Sequence, residues 1–86
     1  MTIPEPTWQQ LVFPKQTTLV ERIAHGLIQY IAAKGLQPGD RLPSERELVQ
    51  MVGTSRLPLR EAISVLKGLG VLEVKHGKGI FVRGWS

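Results

Sequence analysis

Eighty-six residues, 42% of them apolar and none of them cysteine, describe one small globular domain without disulfides or thiolate metal ligands. The formal net charge is +4, and it is unevenly placed: residues 1–40 balance three basic against three acidic side chains, whereas residues 41–86 hold eight basic and four acidic ones. A basic half suggests a polyanionic partner, and with no apolar run near the roughly 20 residues of a membrane span, and no signal-peptide pattern, a soluble cytoplasmic protein is expected.

Residues 1–16 contain Pro4, Pro6 and Pro14 without periodicity and read as an irregular arm; Trp8 and Phe13 have no pattern that says what they pack on. "TLVE" at 18–21 has the form of a capping box, with the Thr18 hydroxyl accepting from the amide three residues on and Glu21 reaching back. Val20, Ile23, Ala24, Leu27 and Ile31 then recur at helical spacing and Gly35 supplies a left-handed stop, which predicts a first helix. His25 stands at the edge of that apolar stripe, in a structural position.

Pro38-Gly39 marks a turn, and Leu42, which precedes a proline, is biased to extended geometry, so residues 40–42 can form a short edge strand. "SERE" at 44–47 is a second capping box and opens a short helix with Leu48, Val49 and Val52 apolar. "GTS" at 53–55 breaks it: Gly53 can take a positive φ and Ser55 can cap a third helix.

The next stretch, "SRLPLREAI", places a proline inside what otherwise reads as helix. With Ser55 as N-cap, Pro58 is the third helical residue, where the missing amide has no intrahelical partner to lose. It therefore fixes the start of the helix and does not break it. Leu59, Ala62, Ile63, Leu66 and Leu69 form an apolar stripe, and Arg56, Arg60 and Lys67 form a basic one about 100° round the axis. This third helix runs over 55–69, with Gly70 ending it. Val71–Lys75 and Ile80–Arg83 are β-rich around "HGKG", which predicts a hairpin whose tip, 75–79, carries Lys75, His76 and Lys78.

Three helices, the last two joined by a tight glycine-containing turn, followed by a hairpin with a basic tip, make a mainly α winged helix-turn-helix. Its last helix presents Arg56 and Arg60 where guanine N7 and O6 would lie in a major groove. The positive end of that helix at Ser55 suits phosphate.

With these elements in place, the chain resembles a known family. Residues 35–82, GLQPGDRLPSERELVQMVGTSRLPLREAISVLKGLGVLEVKHGKGIFV, are similar to the DNA-binding domain of GntR-type bacterial transcription regulators; the motifs are PGDRLPSEREL, SR-x-P-x-RE and G-x-G-x-F-V. The resemblance implies a cytoplasmic, nucleoid-associated regulator, usually a repressor. It would bind double-stranded operator DNA of two palindromic half-sites as a homodimer, released by a small-molecule effector. The wing "KHGKG" is most similar to the fatty-acid-responsive, FadR-type branch, whose effector domain is helical. Carried over by motif position, Arg46, Ser55, Arg56, Arg60, His76, Gly77 and Lys78 are implied DNA contacts, and Leu57 and Pro58 stand in the same contact stretch. Leu57 replaces a threonine common in the family, which removes a hydroxyl and leaves a side chain for a thymine methyl or for nothing. The expected organisation is an arm over 1–16, the winged helix-turn-helix over 17–83, and residues 84–86, with Trp85, as the start of a linker to an absent effector domain that holds the main dimer contacts.

Blander readings attach to the same residues. Arg56 or Arg60 could pair locally with Glu61 or Glu45, and Arg46 with Glu47 or Asp40. A winged helix can also serve as a protein-interaction or RNA-binding module. Only two histidines are present, far apart, and no nucleophile–base pair or phosphate-cradling loop is visible, so neither an enzyme, a cofactor nor a metal site is expected.

Overall fold

The computed structural model describes residues 18–83. The predicted arm, Trp8, Phe13 and the linker start at Trp85 lie outside them. The elements are α1 (Leu19–Lys34), α2 (Glu45–Val52), α3 (Arg56–Gly68), β1 (Leu72–Lys75) and β2 (Gly79–Val82).

Helix α1 begins as its sequence dictates. Thr18 Oγ1 accepts from the Glu21 amide at 3.1 Å, and a Glu21 carboxylate oxygen accepts from the Thr18 amide at 3.4 Å, so both halves of the box are made. Gly35 ends the helix at φ +63°. In α2 only half of the expected box forms. Ser44 Oγ accepts from the Glu47 amide at 3.1 Å, but among the described residues Glu47 makes no return bond to the cap. Gly53 follows at φ +75°, a conformation that any other residue would hold under strain, and this allows α2 and α3 to meet in a tight turn.

The wing has three segments, not two. β1 and β2 pair antiparallel from Leu72↔Val82 to Lys75↔Gly79. Along the other edge of β2, the Gly39 amide donates to Val82, Val82 donates to Asp40 and Leu42 donates to Ile80, each at 2.8 Å, with Arg41 opposite Phe81. The expected edge strand at 40–42 is therefore a single bridge. β1 begins and β2 ends one residue inside the predicted bounds, and Gly79 joins β2 from the turn.

One core holds these parts together: Ile23, Ala24 and Leu27 of α1, Leu42, Leu48 of α2, Leu59, Ala62, Ile63 and Leu66 of α3, and Leu72, Ile80 and Val82 of the wing. Three sequence expectations fail at its border. Val52, the last residue of α2, and Leu69, the C-cap of α3, both assigned to apolar faces, are exposed. His25 is also exposed and has no packing role.

Leu59 is completely buried at the centre of this core. Leu59→Ala is expected to destabilise the domain by about 2–5 kcal/mol, against a total of about 5–15 kcal/mol for a typical small protein. Urea denaturation followed by circular dichroism measures this. A loss below about 1 kcal/mol would mean that Leu59 does not anchor α3.

Candidate nucleic-acid interface

The rotation of α3 about its axis decides which side chains it shows. Leu59, Ala62, Ile63 and Leu66 are buried, so the flank about 100° away must face outward. Arg56 and Arg60 stand on it, 65% and 61% exposed, with Lys67 about two turns beyond Arg60.

The start of the helix is chemically open. Ser55 occupies the N-cap in extended geometry, yet its hydroxyl makes no capping bond, contrary to the sequence expectation. One of the two amides it could bind is missing. A capping hydroxyl normally accepts from the second or third helical amide, and the third residue here is Pro58, which has no N–H. The first turn thus keeps the amides of Arg56 and Leu57 and the Ser55 hydroxyl without a hydrogen-bond partner among the described residues. Helix ends of this kind favour anions.

Glu45, the first residue of α2, reaches across to the same flank. Arg60 Nε donates to both of its carboxylate oxygens, at 3.0 and 3.1 Å, and Arg56 Nε lies 3.7 Å from one of them. The local pairing weighed for these arginines is therefore present, with Glu45 and not Glu61 as the partner. Its geometry matters more than its existence. The grip is through Nε, so the two Nη groups of Arg60, the fork that can meet a guanine edge, make no hydrogen bond among the described residues.

Two shallow concavities lie side by side between this flank and the wing. Glu45, Val74 and Ile80 line both; Arg60, Ser64 and Lys67 border one, and Arg41, Lys75, His76, Gly77 and Lys78 the other. The tip is a hydrogen-bonded turn in which the Lys78 amide donates to the Lys75 carbonyl at 2.9 Å. Lys75 folds back, with Nζ 4.9 Å from the centroid of the Phe81 ring. Thus Lys78 and His76, both exposed, remain the outermost side chains of the turn.

The structure brings Arg56 and Arg60 together, and His76, Gly77 and Lys78 together. Leu57 is 67% exposed beside the arginines, and Pro58 is half-buried as the third residue of α3, as anticipated. Arg46 is exposed on α2 and, among the described residues, pairs with neither Glu47 nor Asp40. The helix spans 56–68 with Leu69 as its C-cap, one residue shorter at each end than 55–69. Arg41 is the cation of these concavities that the sequence did not single out. It stands inside the PGDRLPSEREL motif, but neither the motif nor its spacing marked it as a contact.

A helix-turn-helix with an exposed pair of arginines at the start of its second helix, and a basic wing beside it, defines a winged helix-turn-helix DNA-binding domain. Residues 19–82 match the model of the bacterial regulatory proteins, gntR family, and the chain belongs to that family. It is 38% identical over 81 residues to the HTH-type transcriptional regulator Rv0494 of Mycobacterium tuberculosis, covering 92% of this chain and 34% of that protein. The chain thus spans about a third of the length of this curated relative. Among solved structures, YydK from Bacillus subtilis superposes with a TM-score of 0.78 at 28% identity, over 81% of this chain and 31% of that one. The DNA-binding domain of AraR in complex with operator ORE1 superposes with a TM-score of 0.72 at 30% identity, over 78% of this chain and 82% of that one.

Because both arginines of the Glu45 pairs are well exposed, the pairs stabilise the fold by no more than about 1 kcal/mol. Glu45→Gln is expected to leave the urea midpoint nearly unchanged while speeding solvent exchange at the Nε–H of Arg60 in NMR spectra. A loss above about 2 kcal/mol would make Glu45 a structural strut and not a positioning group for the basic flank.

Proposed function

We propose that α3 enters the major groove of an operator N-terminus first, with Arg56 and Arg60 reading base edges. The observation that carries this is the pair itself: two exposed guanidiniums at the start of the helix, steadied through Nε by Glu45 while the Nη fork of Arg60 stays open. Guanine offers N7 and O6 to such a fork, and each bidentate pair discriminates by about 1–3 kcal/mol. Leu57 lies alongside, where a thymine methyl is its natural partner. Ser55, Arg46 and the open amides of the first turn meet phosphates, which set register. Pro58 contributes by keeping that turn open. His76, Gly77 and Lys78 approach the minor groove or its sugar-phosphate edge.

In the whole regulator we infer a homodimer on two half-sites, a domain outside this chain that supplies most dimer contacts and holds a small-molecule effector, and repression as the regulatory outcome. Residues 17–83 act as the DNA-binding unit between an N-terminal arm over 1–16 and a linker from 84 onward. Among the branches of the family, the wing "KHGKG" favours the fatty-acid-responsive one. Action on DNA implies a cytoplasmic, nucleoid-associated protein.

Selection of bound sequences from a random duplex library tests the reading at once, and a palindrome with two equal half-sites is expected. On the selected duplex, Arg56→Ala and Arg60→Ala should each cost about 1–3 kcal/mol and relax preference at one base position. Equal losses on selected and scrambled duplexes would reduce that arginine to a phosphate contact. No enrichment from the library would favour a protein-interaction or RNA-binding role.

A further inference from the structure

We propose that Arg41 is an additional DNA-contacting residue, aimed along the wing by the bare backbone of Gly79, and that it binds a phosphate beside the groove entered by the wing turn. This rests on the DNA-binding role proposed for the domain.

Two features hold Arg41 in place. Its backbone is locked opposite Phe81, between the bonds that tie Asp40 and Leu42 to β2. Its side chain lies against Gly79: a Cβ built on that glycine would sit 2.9 Å from Arg41 Nε, 3.4 Å from Nη2 and 3.5 Å from Cζ. The backbone of position 79, at φ +125°, favours glycine, and a side chain there would displace the guanidinium that lies over it. The planar fork of a guanidinium is pre-organised, so less freedom is lost per hydrogen bond it forms.

The charge around it is unanswered. Arg41 is exposed and has no ion-pair partner among the described residues. Glu45 holds Arg60 and Arg56, Asp40 Oδ2 accepts from the Gln37 amide at 2.7 Å, and Glu73, on the far side of Phe81, makes no ion pair with Arg41 among the described residues. Arg41 also borders the same concavity as Lys75, His76 and Lys78, next to the one bordered by Arg60. Of these cations, Lys75 is turned onto Phe81. Arg41 and Lys78 are the permanently charged groups of that concavity that make no such contact among the described residues. Phosphate oxygens along a duplex edge accept bidentate guanidinium bonds.

A phosphate contact is independent of sequence, so a mixed-sequence duplex of about 20 base pairs serves as the probe, titrated by fluorescence anisotropy between about 50 and 200 mM salt. The unaltered domain should bind with a steep salt dependence. Arg41→Gln should lower the slope by about one unit and weaken binding roughly five- to tenfold near 0.1 M salt, and Arg41→Gln with Lys78→Ala should lower the slope by about two. Gly79→Ala should reproduce the Arg41→Gln loss and add little on that background, because it evicts the guanidinium; since alanine also strains this turn, Arg41→Gln decides the matter alone. An unchanged slope for Arg41→Gln, with or without a fall in thermal midpoint, overturns the assignment while the DNA reading stands. If the unaltered domain shows no salt-dependent binding, the DNA reading fails and the assignment with it.

Discussion

Burial of Leu59, Ala62, Ile63 and Leu66 fixes α3 in rotation, and the basic face follows from that constraint. An α-helix turns by about 100° per residue, so once one stripe is pressed into the core the neighbouring flank has no freedom in where it points. Arg56, Arg60 and Lys67 lie outward for that reason. Attraction to a partner need not arrange them in the free protein. Pro58 sets the axial position by starting the helix, and the core sets the angle. Together they place the charges before any ligand arrives, and preorganisation of this kind lowers the ordering cost of binding.

Glu45 refines what the core imposes. A carboxylate among cations proposed to face DNA looks counterproductive, since it removes one unit of positive charge from that surface. Its value lies in order. A free arginine side chain loses up to about 2 kcal/mol of rotamer entropy when fixed, and contact with Glu45 through Nε restricts that freedom in advance while leaving the Nη fork unbonded. The arrangement exchanges some nonspecific attraction for geometric definition, which suits a residue that discriminates bases more than one that only holds the backbone.

Much of this was legible in the chain because its determinants are local. The Thr18–Glu21 box, the Gly35 stop, the Gly53 turn and the two stripes of α3 each depend on residues within a turn or two of one another. What escaped depended on context at longer range or on two local rules in conflict. The seat of Arg41 on Gly79 joins residues far apart in sequence through sheet pairing, which no spacing announces. Leu69 and Val52 continue apolar stripes to the ends of their helices yet stay exposed, which the stripe alone does not show. Ser55 shows the conflict: serine before a helix predicts a cap, but a proline at the third position removes one of the amides that such a hydroxyl binds, and both facts stood in the same short stretch. The sidedness of Glu45, between Arg56, Arg60 and the wing, also required the α2–α3 angle.

The most direct measurement is of the guanidiniums themselves. With arginine side chains labelled by 15N, the Nε–H resonances of Arg56 and Arg60 can be followed as a selected duplex is added, alongside those of Arg22 and Arg83 as references. If paired arginines steadied by Glu45 turn to base edges, both resonances move in step with occupancy and their solvent exchange slows, while the references stay nearly still. Saturable binding that leaves both resonances where they were in the free domain would contradict the account.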